Sequence, residues 1–167
     1  MMKKILNEWR KFLLKEGKYL EKTDYTENGM IKLYHFSNKN IEEMDPQSFV
    51  DARGSWSRNE YEVSNVARSF FYTDLTRTEP RISTQMNLYV TEVPANRIYD
   101  FANDPEKYRK KYRDLSPTRR LRKWVDWNPM LEEIREKYDG IFYVIANETI
   151  PVIAYFKKIK VDKIKKP

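Results

Sequence analysis

The chain has 167 residues, of which 40% are hydrophobic and 14% aromatic, a length and aromatic load that suit one packed domain despite 34% charged residues. It contains no cysteine and a single histidine, which excludes disulfides, thiol nucleophiles and cysteine-ligated zinc; no metal site is expected, and only a carboxylate site for Mg²⁺ or Ca²⁺ stays open. The formal net charge is +7, which favours anionic partners: nucleic acid, nucleotide phosphates or acidic protein surfaces.

Residues 3–16 carry Ile5, Leu6, Trp9, Phe12 and Leu13 at helical spacing among Lys, Arg, Glu and Asn, so they predict an amphipathic helix capped by Gly17. Residues 18–30 read as a polar connector that ends in the turn Asn28-Gly29. Ile31 to Phe36 is the first strand, and it holds the sole histidine, His35. Ile41 to Phe49 reads as a short helix or turn broken at Asp45-Pro46. The polar stretch from Val50 to Glu62 reads as a loop.

Ser69 to Thr73, an aromatic run, predicts a buried strand. Leu88 to Val93 alternates as a half-buried strand does, and Pro94 stops it. Helices are expected over Asp104 to Tyr112 and over Ser116 to Trp127, the second with a serine N-cap and proline at its first turn. A further helix begins at Asn128-Pro129 with Leu131, Ile134 and Tyr138 on one side. Asp139-Gly140 admits the strand Ile141 to Ile145. Asn147-Glu148 is a tight turn into Ile150 to Phe156, and Ile159 to Val161 extends or follows that strand.

Strands that flank a helical block without regular alternation predict an α+β fold: an amphipathic helix at 1–17 and a single domain over 18–167. Between Lys107 and Lys123 nine basic residues face one acid, Asp114, and six lysines fall between Lys157 and Lys166. No apolar run approaches the roughly 18 to 20 residues of a membrane span, and the charged N-terminus is no signal peptide, so a soluble, cytoplasmic protein is expected. Glycine-rich phosphate loops, HExxH and GxSxG patterns do not occur.

Four segments in order carry a resemblance: LYHFS (Leu33 to Ser37), SFFYTD (Ser69 to Asp74), NLYVTEVPANRIYDF (Asn87 to Phe101) and YDGIFYVIANETIPVIAYFKKIKV (Tyr138 to Val161). Together they resemble the ADP-ribosyltransferase superfamily of the His-Tyr-Glu kind, in its phage-associated type. The resemblance implies a split β core with flanking helices clasping NAD⁺, and host cytoplasm as the place of action if the chain is phage-encoded. It implies that His35 bonds a ribose hydroxyl, that Phe36 and Ser37 border the nicotinamide, and that Tyr72 (or Phe71, one register away) stacks on the ring. Arg68, with Arg53 and Arg58, would meet the pyrophosphate. Glu148 would be the catalytic carboxylate, stabilising the oxocarbenium-like sugar as nicotinamide departs. Tyr61 and Tyr89 are the candidates for a second stacking tyrosine.

Two departures mark this chain. Phe36 stands where the family places glycine, and Glu148 falls two or three residues ahead of the family's glutamate. The implied activity is NAD-dependent mono-ADP-ribosyl transfer to a host macromolecule. The alternative is an inactive module of the same fold that binds nucleic acid through its basic helices. Arg109, Lys110, Lys111, Arg113, Arg119, Arg120, Arg122 and Lys123 are then the nucleic-acid or target contacts. A third reading has the N-terminal helix docking into a partner groove.

Overall fold

The computed structural model describes residues 20–48, 66–78, 86–112, 127–145 and 150–167. The helix expected over residues 3–16, the loop over 50–62 and all of the helix over 116–127 but Trp127 lie outside these. An eight-stranded, mostly antiparallel sheet organises the rest, in the order β10 (Asp162–Ile164), β5 (Asn87–Pro94), β2 (Met30–Ser37), β4 (Ser69–Tyr72), β8 (Ile150–Tyr155), β7 (Gly140–Ile145) and β6 (Ile98–Asp100), with β1 (Thr26–Glu27) hairpinned onto β2. The fold is thus α+β.

Asn28 and Gly29 make the hairpin. Both have positive φ, 51° and 76°, which a two-residue turn between right-twisted strands requires. Glu27 then pairs with Met30, and Thr26 with Ile31. β2 pairs along its whole length with β5 (Asn87–Pro94), placing His35 opposite Tyr89. β4 (Ser69–Tyr72) pairs with β8 (Ile150–Tyr155), and β8 with β7 (Gly140–Ile145). β6 (Ile98–Asp100) joins β7 in parallel at one edge. β10 (Asp162–Ile164) joins β5 at the other. A small second sheet joins β3 (Glu43–Met44) to β9 (Ile159–Lys160).

The sheet buries apolar side chains on both faces. On one, Ile31 and Leu33 of β2, Phe71 of β4, Tyr89 of β5 and Ile153 of β8 form one cluster with Met44 and Val161. On the other, Ile141 and Ala154 meet Tyr99, Tyr108 and α2 (Trp127–Lys137), whose Met130, Leu131 and Ile134 all point inward. Their i, i+1, i+4 spacing is one stripe of a helix, which is why this segment is helical and where it docks.

Several expectations need correction. The segment from Ile41 to Phe49 holds the strand β3 and is helical only over 46–48, after Asp45, and the expected helix over 104–112 is only α1 (Tyr108–Lys111). Asp104 and Lys107 have positive φ, 48° and 58°, so no helix passes through them. Asp104 instead accepts from the Tyr108 and Arg109 backbone N–H groups and starts the helix there. The strand expected to extend or follow β8 at Ile159 is present as β9, and β10 comes directly after it on the edge of the main sheet.

Candidate functional site

β2 alternates, so Ile31, Leu33, His35 and Ser37 share one face. Ile31 and Leu33 are fully buried, and the row then turns polar at His35 and Ser37. At that point the sheet parts. β2 meets β5 through eight paired residues but meets β4 through one described pair, Tyr34 with Tyr72.

Beyond this single bridge the imidazole takes the place of a ladder bond. His35 Nδ1–H donates to the Phe70 carbonyl oxygen at 2.9 Å. A carbonyl can only accept, so Nδ1 carries the hydrogen and Nε2 is the acceptor of the neutral ring. Burial pushes the imidazole pKa below its ordinary value, and the Phe70 carbonyl opposes that only in part. Phe71 lies edge-on to the ring at 5.8 Å and props it from within the core.

His35 opens onto a cleft of about 590 Å³, bordered by the end of β2, residues 38–45, Ser48 and Met86. Its wall is built, not draped. Tyr89 Oη donates to the Lys39 carbonyl at 2.7 Å and accepts from the Ile41 N–H at 3.2 Å, which fixes the turn after β2. Lys39 N–H donates to Ser37 Oγ at 3.1 Å. The far wall is β3, held by β9 and by the Val161 N–H donating to the Glu42 carbonyl at 3.0 Å. Asp45 accepts from the Gln47 N–H and pairs with Lys158 at 3.1 Å, and both hold its carboxyl below the usual range.

The volume lies within the roughly 300 to 1,000 Å³ of small-molecule sites. Hydroxyls and amides (Ser37, Asn38, Asn40, Ser48) beside an imidazole acceptor suit sugar hydroxyls. Ile41, Met44 and Met86 supply apolar lining for a flat ring. Asp45 is paired with Lys158, which leaves Glu42 and Glu43 against Lys39, so the lining carries a slight excess of negative charge that suits a cationic group better than a pyrophosphate. The lining therefore suits a small ligand that combines sugar hydroxyls with a flat ring.

The other residues singled out from the sequence divide between the two faces. Phe36 and Ser37 border the cleft with His35, and Phe71 lies beneath it. Tyr72 is on the opposite face, edge-on to Phe36 at 6.0 Å. Arg68 is there too, its guanidinium 5.4 Å over the Phe70 ring and donating to the Val66 carbonyl. Tyr89 is a buried pin and offers no free ring face. Arg109 donates to the Phe101 carbonyl at 2.8 Å and lies over the Phe101 ring, while Lys111 pairs with Glu133 at 2.5 Å. Lys110 is exposed beside them, on the face away from His35.

Glu148, Arg53, Arg58, Tyr61, Arg113, Arg119, Arg120, Arg122 and Lys123 lie outside the described residues. Sequence reasoning missed the cleft wall at 38–45; its one signal was the polar run Ser37-Asn38-Lys39-Asn40 directly after an apolar strand. Among the described residues no group of His, Asp and Glu could hold a metal ion, and no helix is long and apolar enough to cross a membrane. No family model, curated protein or solved structure matches the chain.

Proposed function

We propose that this chain is an NAD-dependent mono-ADP-ribosyltransferase that receives the nicotinamide-ribose end of NAD⁺ in the His35 cleft. One observation carries the reading: the His35–Phe70 bond, which fixes the imidazole tautomer at the parting of β2 and β4, beside a preformed cleft. Nε2 accepts from a ribose hydroxyl, while Ser37 and the Asn38 and Asn40 amides serve the remaining sugar oxygens. Glu42 and Glu43 on the cleft wall serve the cationic end of the ligand, where positive charge also develops as the glycosidic bond breaks. Bound NAD⁺ supplies the ADP-ribosyl group and nicotinamide as leaving group. Glu148 is the carboxylate that the sequence resemblance assigns to this step.

Nucleic-acid binding through the basic helices is the less favoured reading, because Arg109 and Lys111 are engaged inside the domain.

Labelled NAD⁺ and a cell lysate, with wild type and Glu148→Gln in parallel, test the enzyme directly. Transfer by wild type alone supports it. Absence of NAD⁺ binding by calorimetry, of hydrolysis and of transfer would sink it.

A further inference from the structure

The six lysines between Lys157 and Lys166 fall into two groups. Lys157 and Lys158 are neutralised, by Asp139 at 2.7 Å and Asp45 at 3.1 Å. Lys160, Lys163, Lys165 and Lys166 are exposed and have no hydrogen-bond or ion-pair partner among the described residues. Asp162 is the one acid within their span.

Two of these cations are on paired strands. Lys160 is on β9, in register with Glu43, and Lys163 is on β10, in register with the buried Tyr89. Lysine on an edge strand also guards against edge-to-edge association. That accounts for Lys160 and Lys163, both on edge strands, but the guard does not call for Lys165 and Lys166.

We infer that the lysine-bearing segment over β9, in the small sheet, and β10, at the edge of the main sheet, is a nucleic-acid backbone-binding surface, with Lys160, Lys163, Lys165 and Lys166 on phosphates. Charge complementarity selects the partner. Compact ammonium groups on flexible stems, with no shaped apolar pocket, read phosphate density and not sequence. The outer edge of β10 adds backbone N–H groups, which also serve phosphate oxygens. A lipid surface fits less well. Ile164, 36% exposed, is the single exposed large hydrophobic among the described residues, and one side chain is no insertion face.

Binding here does not depend on the NAD⁺ reading. The two are nevertheless adjacent, because Lys163, Tyr89 and His35 form one row across β10, β5 and β2. Two strand spacings separate the ends of that row, about 10 Å, so a nucleic acid on this edge lies beside the cleft.

The test is binding of the full chain to a labelled DNA duplex by fluorescence anisotropy, between about 50 and 200 mM salt. Wild type should lose affinity steeply over that range. Replacing the four lysines with glutamine should weaken binding at least tenfold and flatten the log–log salt slope by about 0.9 for each phosphate contact removed. Lys110→Gln should do neither, and Lys165→Gln, outside the strand, should flatten the slope even if the fourfold variant fails to fold. Unchanged affinity and slope in the lysine variants overturns the inference. So does binding to phosphatidylserine vesicles without binding to DNA. NAD⁺ affinity, measured on the same variants, should not move.

Discussion

His35 Nδ1–H meets the Phe70 carbonyl oxygen at 2.9 Å where β2 and β4 separate, so one side chain both closes the sheet and faces the cleft. The two nitrogens of the ring therefore have separable duties. Nδ1 is structural, and Nε2 is the nitrogen that the proposed reading assigns to the ribose.

That separation predicts opposite phenotypes for two substitutions. His35→Asn keeps an N–H donor near the position of Nδ1 and removes Nε2; His35→Gln reaches the position of Nε2 and leaves the Phe70 carbonyl without its donor. Urea unfolding should show His35→Gln destabilised by about 1–3 kcal/mol, the cost of an unsatisfied buried acceptor, and His35→Asn by less. Calorimetry with NAD⁺ should show the reverse order, His35→Asn losing roughly 2- to 13-fold in affinity for one missing hydrogen bond. Equal stability of the two variants would contradict the structural role of Nδ1.

The same ring makes stability fall in mild acid. Burial lowers the folded pKa of His35 below its ordinary 6.5, so between the folded value and 6.5 the unfolded chain binds more protons. Stability then rises with pH through that window; it is complete above 6.5 and declines as pH drops toward the folded value. Because the chain has one histidine, no second imidazole contributes. Asp139 and Glu106, both held low by partners, lose their stabilisation only at lower pH, starting near their ordinary 3.8 and 4.5. Urea titrations from mildly acidic to neutral pH should show this slope in wild type and not in His35→Asn.

Much of the architecture is legible in the sequence because its strands are long or sharply punctuated. Alternation marks β5, an aromatic run marks β4, and Asn28-Gly29, Pro94 and Asp139-Gly140 end their segments where the chain turns. β1, β6 and β10 are short, and β10 has one apolar residue, Ile164, so periodicity cannot reveal them; they form because a neighbouring strand offers a free edge. The site is half legible for a related reason. His35 stands out as the single imidazole ending an apolar row, but choosing Phe71 over Tyr72 as its neighbour needs the register of β2 on β4. Arg68 sits next to the same strand, yet its guanidinium goes to the opposite face, over Phe70.

Gly140 begins β7 at the junction of three strands, opposite Ile98 on one side and Tyr155 on the other. A Cβ there would lie 2.8 Å from the Ala154 carbonyl oxygen, 3.0 Å from Ile98 Cδ1 and 3.1 Å from Tyr155 Cδ2. The nearest atom is backbone inside a ladder and cannot step aside. Gly140→Ala should therefore destabilise the domain by about 1–3 kcal/mol, as overpacking does, instead of gaining from a stiffer unfolded chain. The unfolding midpoint in urea, at unchanged slope, checks this.

Tyr89 tests whether the cleft wall matters to the ligand. Its ring is 1% exposed, and its hydroxyl is the donor to the Lys39 carbonyl and the acceptor for the Ile41 N–H. Tyr89→Phe keeps the ring and deletes both bonds, at a cost of about 1–2 kcal/mol for a strand residue that packs as before. The turn over 38–41 then loses its tie to β5, while the His35–Phe70 bond, on the other side of β2, is untouched. Hydrogen exchange at the Ile41 amide should accelerate, with the amides of β4 and β8 unchanged. NAD⁺ affinity should fall along with that local protection, because Ser37, Asn38 and Asn40 are no longer held in place. Faster exchange at Ile41 with full NAD⁺ affinity would show that the ligand does not use this wall and would move the proposed site elsewhere along β2.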